Sequence, residues 1–415
     1  MNIWIIDHYS SEPKHGGISR QFDFAQGLAK VGHKVLVISS SFSHFTHSYI
    51  ADGAISFASI NENACYAYVK TLAYTKNRGL KRLLNSLSFV RNVIKSKHKI
   101  ANHFGVPDVV VGCSIHPFTW IAGYNVARDF KARFFAEVRD LWPATQIYNH
   151  GMSPYHPKAF FFGKLEKWAY TKAETIIYSM SRGDKYISGI LGFPKEKIIW
   201  IDQPMDCERF DLNANRYDEL PEDIRKFISD GFVCVFTGYY MDYEGVNEML
   251  KAAEILKNKG LPIKFVFVGS GKEEAKMRAY QEEKNLTNVY IGGRINKELV
   301  PALLRRAQVC LAHLAVRGNP KSYMFDASKN KITEYMYSDS CVIYGTYVEN
   351  QFVKTSGAGY TITPYSETEF AETIERVYHM SVEERAEFGK KAREYVLENC
   401  TLEKLTEKYC SILEG

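Results

Sequence analysis

Apolar and polar residues follow each other along the chain in blocks that predict parallel strands separated by helices. In the N-terminal half, short runs that are apolar throughout indicate buried strands at Ile3–Ile6, Lys34–Ile38, Asp108–Gly112, Arg133–Val138 and Glu174–Tyr178. The segment Ile18–Val31 instead has apolar residues at helical spacing. Strands that are apolar on both faces are typical of parallel sheets covered by helices on both sides.

The same rhythm starts afresh in the second half. Apolar strands are predicted at Phe232–Thr237, Lys264–Gly269, Val289–Ile291, Val309–Ala312 and Ser340–Tyr344, with a helix at Val246–Leu256. Pro and Asn residues interrupt the pattern between Ile201 and Gly231. We therefore expect an α/β protein with two doubly wound, Rossmann-like domains facing a central cleft. The domains are predicted at 1–203 and 204–395, with a C-terminal helix, 396–415, packing back on the first.

Composition narrows the class of protein. A chain of 415 residues is too long for one ordinary core, and its net charge of +6 favours anionic partners without indicating nucleic acid. No apolar run is long enough to span a bilayer, and the opening MNIWIID is typical of a first strand, not of a signal peptide. The eight cysteines include no CxxC pair, which indicates free thiols in a reducing compartment. We expect a cytoplasmic enzyme.

The most informative segment is Met324–Gly345, which reads as a polar loop, a helix start, a short helix and a buried strand. Ser328 or Asn330 can cap the helix, and a helix start suits a phosphate. Lys331 lies in the first turn, where its charge is best explained by an anion, and Glu334 lies one turn later, placed to accept hydrogen bonds from a sugar hydroxyl pair. This order fits a nucleotide-sugar. A surface helix with ordinary charges is the alternative.

Glycine pairs mark two further turns. Gly16 and Gly17 follow the first strand and open the first helix, at the edge where a doubly wound sheet binds ligands. Glycine there lets the backbone approach a phosphate, although no third glycine completes a dinucleotide fingerprint. A plain tight turn is the alternative for this pair. Gly269 and Gly271 form a similar turn in the second half, for which we favour a structural role.

These pieces together resemble the retaining glycosyltransferases of GT-B architecture, family 4, in the bacterial branch that builds O-antigens, capsules and other envelope glycans. Glu137–Pro143 is similar to the family's E-x-R-D-L-W-P signature and Ser328–Met336 to its donor-site motif. Further matches, in chain order, are His8, Gly16, Gly17, Leu28, Ala29, Gly32, His33, Val35, Cys113–Pro117, Glu196–Phe210, Phe236–Gly238, Val268–Gly271 and Gly292–Arg294. The likeness covers nearly the whole chain.

The resemblance implies roles for the candidate site residues. Glu334 would hold the ribose, Arg294 and Ile295 would lie near the base, and Asp326 would meet the donor sugar. The diphosphate would meet the Gly17 N–H and Lys331, and Gly16, Gly238 and Asn330 would also belong to the donor site. His116 would bond a sugar hydroxyl or the developing charge, with a helix-capping histidine as the alternative. Arg139 and Asp140 would line the acceptor side, with a structural ion pair as the alternative for Arg139.

One departure from the family pattern concerns the diphosphate clamp. The slots that usually hold Arg and Lys after the first strand of the second domain hold Tyr239 and Glu244. A carboxylate there would repel diphosphate, so other cations must supply the clamp. The candidates are Lys331, Arg317, Lys321 and Lys329. Asp326 also stands where the family usually has Glu.

The resemblance implies a hexosyl- or N-acetylhexosaminyltransferase that moves a sugar from a nucleotide-sugar, a UDP-sugar by expectation, to a glycan or polyprenyl-diphosphate-linked acceptor. We expect no cofactor, and no metal, because no cluster of His, Cys or Asp has ligand spacing. One alternative is a nucleotide-sugar 2-epimerase of the same architecture. Another is a non-catalytic protein that binds nucleotide-sugar or acts as a scaffold, which Tyr239 and Glu244 favour.

A basic segment, Thr75–Ile100, contains many Lys and Arg residues and no acid, with leucines on one side of a predicted helix. This pattern indicates an interfacial helix that meets anionic lipid through Lys81, Arg82, Arg91 and Lys95. The protein would then be peripheral on the inner face of the cell membrane. A solvated helix covering the first domain is the alternative, and the same charge suits an acceptor diphosphate.

Overall fold

The chain forms two compact units, each built around one twisted sheet. The structure is a computed structural model that describes residues 1–16, 19–75, 79–326, 330–348 and 352–415, with only the backbone of Asn330. Unit 1 comprises Met1–Pro204, Phe325–Ser328 and Leu402–Gly415, and unit 2 comprises Met205–Met324 and Lys329–Thr401. Each unit is an α/β layer structure with a largely parallel sheet.

Unit 1 has the strand order β3-β4-β2-β1-β5-β6-β7-β8. Its strands are β1 Asn2–Ile6, β2 Lys34–Ser40, β3 Ile55–Asn61, β4 Ala64–Val69, β5 Val109–Ser114, β6 Arg133–Val138, β7 Ile176–Tyr178 and β8 Ile198–Trp200. Its helices are α1 Arg20–Lys30, α2 Leu80–Phe104, α3 Phe118–Phe130, α4 Ala144–Tyr148, α5 Pro157–Lys172 and α6 Gly183–Ile187, joined later by α16 Leu402–Glu414. Every pair is parallel except β3 with β4.

Unit 2 has the strand order β11-β10-β9-β12-β13-β14, with parallel pairing throughout. Its strands are β9 Phe232–Tyr239, β10 Ile263–Ser270, β11 Val289–Gly292, β12 Val309–Leu314, β13 Cys341–Thr346 and β14 Gly359–Ile362. Its helices are α7 Cys207–Ala214, α8 Glu222–Phe227, α9 Val246–Asn258, α10 Glu274–Glu283, α11 Val300–Leu304, α12 Asn330–Tyr337, α13 Phe352–Thr355, α14 Glu367–His379 and α15 Val382–Asn399.

The C-terminal segment differs from the single predicted helix over 396–415. Helix α15 ends at Asn399 in unit 2, and a separate helix, α16, begins at Leu402 and packs on α1 in unit 1. Close contact between α1 and α16 requires Gly27, because a Cβ there would lie 2.1 Å from Thr406 Oγ1. The terminal helix is therefore part of the unit 1 core.

A buried ion pair ties this core together. Arg20 Nε donates to Glu137 Oε1 at 2.7 Å, and both side chains are fully buried. Gln21 and Tyr409 also donate to Glu137. Burial acts to raise the pKa of Glu137, but the Arg20 and Arg139 charges, together with the hydrogen bonds from Arg20 and Gln21, outweigh it and hold that pKa below its usual range. The first residue of the E-x-R-D-L-W-P segment is therefore structural: it joins α1, β6 and α16.

Candidate functional site

Unit 2 brings several predicted donor residues together at the carboxyl ends of its strands. Gly238 is the last residue but one of β9, with φ +140°, and it pairs with Gly269, the last residue but one of β10. A Cβ on Gly269 would lie 1.8 Å from the Gly238 carbonyl oxygen, so only glycine allows the two strand ends to lie this close. These two glycines therefore allow close packing at this end of the sheet.

Helix α12 is fixed over this edge by a buried tyrosine. The hydroxyl of Tyr335 accepts from the backbone N–H of Thr237 at 2.8 Å and lies 3.2 Å from the Thr237 carbonyl oxygen. Burial raises the pKa of Tyr335 well above its usual range, so the hydroxyl keeps its proton. The helix that carries Lys331 and Glu334 is thereby anchored to the end of β9.

Lys331 is placed over Gly238, where its Nζ lies 2.6 Å from the position that a Cβ on residue 238 would occupy. Its charge is not directed into open space: Nζ lies 2.8 Å from Glu244 Oε2 and 4.4 Å from the ring centroid of Phe236. Only 15% of the Lys331 side chain and 8% of that of Glu244 are exposed. The sequence interpretation, which directed Lys331 at an anion, missed this ion pair because the two residues are far apart in sequence.

Glu334 lies one turn further along α12 and is half-buried. Asn330 begins the helix, and its side chain lies outside the described residues, as do Gly17, Ser328 and Lys329. Within the described part of the chain, α12 thus brings Lys331 and Glu334 onto one helix at the strand edge. A cation and a carboxylate in this order can bind a phosphate and a pair of hydroxyls.

Arg294 and Ile295 follow β11 at the same edge. Arg294 Nε donates to Ser270 Oγ at 2.7 Å, and its Cζ lies 5.6 Å from the ring centroid of Tyr239. Tyr239 is 45% exposed, and Ile295 is half-buried. Tyr239, in the slot where the family usually has Arg, therefore supplies an exposed aromatic face beside a guanidinium. A planar base can stack on such a face.

The other predicted clamp cations are less suited to a diphosphate. Arg317 lies 3.2 Å from Asp242 and 2.6 Å from the buried Glu248, and it stacks on Tyr365. Lys321 is exposed on the surface. Arg317 is therefore neutralised in a network that fixes the start of α9.

Asp326 lies in unit 1, although the sequence interpretation placed it in the donor domain with Glu334. Ser181 Oγ donates to its carboxylate at 2.5 Å, and the side chain is buried. The adjacent Phe325 packs against Tyr148 and Tyr186, with ring centroids 5.5 and 5.3 Å apart. Burial of this phenylalanine accounts for the position of the segment in unit 1.

Unit 1 has its own cluster at the carboxyl ends of β1 and β5. His116 Nε2 lies 2.6 Å from His8 Nδ1, and both imidazoles are buried. His8 also stacks on Phe89 of α2, with ring centroids 4.4 Å apart. Burial and the nearby Arg82 charge lower the pKa of His116 to about 3, and burial likewise lowers that of His8 well below its usual range. At neutral pH both rings are uncharged, which suits hydroxyl groups better than phosphate.

Two carboxylates and an arginine lie at the same edge. Arg139 is 3.5 Å from Asp7, which directly follows β1, so the ion-pair alternative for Arg139 is observed, with a partner other than Asp140. Burial raises the pKa of Asp140 to about 6, although the Arg139 and Arg82 charges oppose it. Gly16 closes a turn after β1 in the left-handed region. Sequence reasoning gave Asp7 no role, although its place at the end of the first strand was the available signal.

The basic segment forms α2 over Leu80–Phe104. Lys81, Arg91 and Lys95 are exposed, as are Leu80, Leu83, Leu84 and Leu87. Arg82 differs from the predicted membrane group: it is half-buried, and its Nε donates to the Tyr9 hydroxyl at 3.4 Å. Its charge acts on His116 and Asp140, so we assign Arg82 to the carboxyl-edge cluster of unit 1.

Two other kinds of feature, a metal centre and a membrane-spanning helix, are absent from the described residues. No group of three or more His, Cys, Asp or Glu side chains there is arranged to hold a metal ion. No helix in the described ranges has the length and apolarity needed to cross a bilayer.

Part of unit 2 is similar to a known protein family. Residues 221–395 match the family model described as Glycosyl transferases group 1. The matched range contains Gly238, Glu244, Arg294, Lys331 and Glu334, which are the residues that meet at the carboxyl edge of this unit. No curated protein matches the chain by sequence.

Solved structures share the fold of the whole chain at low identity. Sucrose-phosphate synthase from Thermosynechococcus elongatus is 15% identical, with a TM-score of 0.72 over 100% of this chain and 98% of its own. HepE from Anabaena, in complex with UDP and glucose, is 14% identical, with a TM-score of 0.67 over 100% and 99%. A structure described as trehalose-6-phosphate from E. coli bound with UDP-2-fluoro glucose is 11% identical, with a TM-score of 0.73 over 100% and 99%. The likeness confirms the predicted pair of Rossmann-like domains of GT-B type.

Proposed function

We propose that this protein is a retaining, metal-independent glycosyltransferase that moves a sugar from a nucleotide-sugar, UDP-linked, to a glycan or polyprenyl-diphosphate-linked acceptor. The glycosyl transferases group 1 match over residues 221–395 supports the reaction class. Structures of the same fold that hold UDP or a UDP-sugar support the donor. The branch of family 4 that makes O-antigen, capsule or other envelope glycans is our proposal for the pathway.

The observation that carries the proposal is the placement of Lys331 and Glu334 on one anchored helix above Gly238. In the proposed complex the diphosphate lies against Gly238, Lys331 and the start of α12, while Glu334 accepts hydrogen bonds from the ribose. Arg294 and Tyr239 supply the base-stacking surface.

Donor binding changes the partner of Lys331 in this scheme. The ammonium now paired with Glu244 turns to the diphosphate, which carries more charge than one carboxylate and accepts stronger hydrogen bonds. Glu244 therefore competes with the donor for Lys331. A clamp of this kind releases the nucleoside diphosphate product more easily than a clamp of two cations with no acid.

The transfer step follows from the retained configuration. The acceptor hydroxyl attacks the anomeric carbon on the face from which the diphosphate leaves, so the C–O bond to the acceptor forms as the bond to the diphosphate breaks. The leaving diphosphate takes the acceptor proton. The protein supplies positioning and charge stabilisation.

Unit 1 is the proposed acceptor domain. His8 and His116 are neutral imidazoles that can bond sugar hydroxyls, and Arg82 supplies a cation beside them. Asp140 lies at the same edge. We propose a cytoplasmic protein that is peripheral on the inner face of the membrane, with Lys81, Arg91 and Lys95 of α2 directed at anionic lipid.

Thermal shift with nucleotide-sugars tests the donor assignment, since a ligand that binds only the folded state raises the melting temperature. UDP and UDP-sugars should raise it more than uridine does. Incubation with the stabilising UDP-sugar should release UDP and the sugar slowly in the absence of acceptor. Conversion of that donor into its C2 epimer would indicate an epimerase.

A second candidate, a non-catalytic nucleotide-sugar-binding protein, is favoured by the buried pair of Lys331 and Glu244. If this ion pair stays intact in the complex, the diphosphate lacks its main cation. Donor binding without hydrolysis or transfer to any acceptor would support this candidate.

A further inference from the structure

An exposed aromatic patch lies at the start of α5 in unit 1. It comprises Tyr155, Phe160 and Phe161, which are 94%, 67% and 53% exposed. Leaving one such side chain in water is ordinary, but three neighbouring aromatic residues on one short stretch mark an interaction surface. None of these residues belongs to the candidate functional site.

The exposed charges on helix α5 beside the aromatic patch are positive. Lys158, Lys164 and Lys167 are exposed, and Lys164 Nζ lies 5.4 Å from the ring centroid of Phe160. The one acid of α5, Glu166, is buried and accepts hydrogen bonds from Tyr170 and Tyr186. The surface of α5 thus presents aromatic rings and cations to its surroundings, without an opposing carboxylate on that helix.

The fold places the aromatic patch at the carboxyl edge of the unit 1 sheet. Helix α5 ends at Lys172, and β7 begins four residues later, so the C-terminal end of α5 lies at the amino edge. Its start lies about 24 Å away, at the opposite edge. Phe162, in the first turns of α5, packs against Phe118 at the start of α3, with ring centroids 5.8 Å apart. His116 precedes that helix start by two residues.

Helix α2 presents a second apolar surface on the same side of the sheet. Leu80 is 70% exposed, and Leu83, Leu84 and Leu87 are 41–43% exposed, all within the first eight residues of α2. Helix α3 packs on both α2 and α5, so the three helices lie side by side. With interaxial distances of 8–10 Å, the leucines and the aromatic patch are roughly 20 Å apart.

We propose that the aromatic patch and the leucines of α2 together dock unit 1 on an anionic bilayer, with Phe160 and Phe161 inserted at the interface. Aromatic residues favour the headgroup region, and lysines beside them extend to anionic headgroups. Positive charge at both contacts, from Lys158, Lys164 and Lys167 on α5 and from Lys81, Arg91 and Lys95 on α2, is complementary to such a membrane. Two contacts on separate helices, roughly 20 Å apart, also fix the orientation of unit 1.

This inference deepens the proposed function, because a lipid-linked acceptor would then be presented at the carboxyl edge of unit 1. It does not depend on activity, since vesicle binding is measured without donor or acceptor. A protein that binds vesicles but no UDP would contradict the proposed function alone.

Sedimentation with phosphatidylcholine vesicles, with and without phosphatidylglycerol, tests the proposal. The parent should bind the phosphatidylglycerol vesicles. The double variant Phe160→Ser, Phe161→Ser should bind about 30-fold more weakly, because two partly inserted phenylalanines together contribute roughly as much as one fully buried phenylalanine. The triple variant Lys81→Gln, Arg91→Gln, Lys95→Gln should also bind more weakly, and its residual binding should depend less on salt. Val382→Ser, which alters a residue that is 68% exposed in unit 2, is the matched control and should bind as the parent does.

Insertion is measured separately with Phe160→Trp, whose fluorescence should shift to the blue on vesicles. Equal vesicle binding by the parent and the phenylalanine double variant would overturn the proposal. The absence of binding between the parent and anionic vesicles would also overturn it. A parent that is dimeric in solution and becomes monomeric in the double variant would instead show that the aromatic patch joins copies of this chain.

Discussion

The carboxyl edges of the two sheets carry different electrostatics. In unit 2 the central group is an ion pair, Lys331 with Glu244, beside glycine backbone. In unit 1 it is a pair of uncharged imidazoles, His8 and His116, held neutral by burial beside Arg82. A paired ammonium can exchange its carboxylate for a phosphate, whereas neutral imidazoles suit hydroxyl groups. We therefore expect the two domains, which share one fold class, to bind chemically different ligands.

The largest expected effect concerns the carboxylate of α12. Glu334→Ala should weaken UDP binding about 100-fold or more, because two hydrogen bonds from ribose to a charged group contribute about 1.5–3 kcal/mol each. Calorimetric titration measures the loss, and Glu383→Ala, an exposed carboxylate of α15, is the control. An unchanged UDP affinity in Glu334→Ala would show that Glu334 does not bind the donor.

A change at Glu244 tests whether the carboxylate competes with the donor. Glu244→Gln keeps the size of the side chain but removes its charge, so Lys331 no longer has to leave an anion. UDP should bind at least tenfold more tightly, since a phosphate charge about 8–12 Å from the carboxylate costs roughly 1.4–2 kcal/mol at an effective dielectric constant of about 20, and a shorter separation costs more. Uridine affinity should not change. Weaker UDP binding by this variant would mean that Glu244 positions Lys331 and does not compete with the donor.

The next prediction concerns Asp140 of unit 1 and its effect on the free energy of unfolding. The folded pKa of Asp140, about 6, lies above the unfolded value, so the protonated carboxyl is favoured by folding. Its contribution to stability is fully present below about pH 4 and is lost as the pH rises through about 6. Asp140→Asn should therefore raise the free energy of unfolding at pH 7, by about 1–2 kcal/mol after allowance for partial exposure, and leave it unchanged at pH 4.

Chemical denaturation at the two pH values measures this difference. An Asp140→Asn variant that is equally stabilised at both pH values would show that packing, not charge, is responsible. A variant that is less stable at pH 7 would contradict a raised pKa.

The smallest effect should come from metal removal. Transfer from the UDP-sugar that gives the largest thermal shift should proceed equally fast with and without a chelator, because Lys331 and the start of α12 are proposed to neutralise the diphosphate. A loss of activity that manganese or magnesium restores would contradict the metal-independent mechanism.

Much of the fold could be predicted from the sequence because its parallel strands are apolar on both faces. For the strand Arg133–Val138, the predicted first and last residues are the ones observed. The edge strand Ile55–Asn61 was missed because it is partly exposed and mixes polar with apolar residues, and it pairs antiparallel with β4. The short strands Ile198–Trp200 and Gly359–Ile362 were also missed, whereas the equally short β7 and β11 were predicted within the apolar runs Glu174–Tyr178 and Val289–Ile291.

The candidate site was less predictable, since its key contacts join residues far apart in sequence. The resemblance to the family marked Lys331 and Glu244 as two separate positions of the donor site. Only the fold shows that they form an ion pair. The charge pattern of α2 grouped Arg82 with Lys81, whereas the helix directs Arg82 toward Tyr9. Asp326 was assigned by its spacing from Glu334, yet the burial of Phe325 holds it in unit 1 beside Ser181.

Calorimetric titration of the parent and Lys331→Ala with UDP and with uridine tests most directly whether unit 2 holds a diphosphate. We expect the parent to bind UDP at least tenfold more tightly than uridine, and Lys331→Ala to lose most of that difference while its uridine affinity stays the same. Equal affinities of the parent for UDP and uridine, or an unchanged preference for UDP in Lys331→Ala, would contradict the proposed diphosphate site.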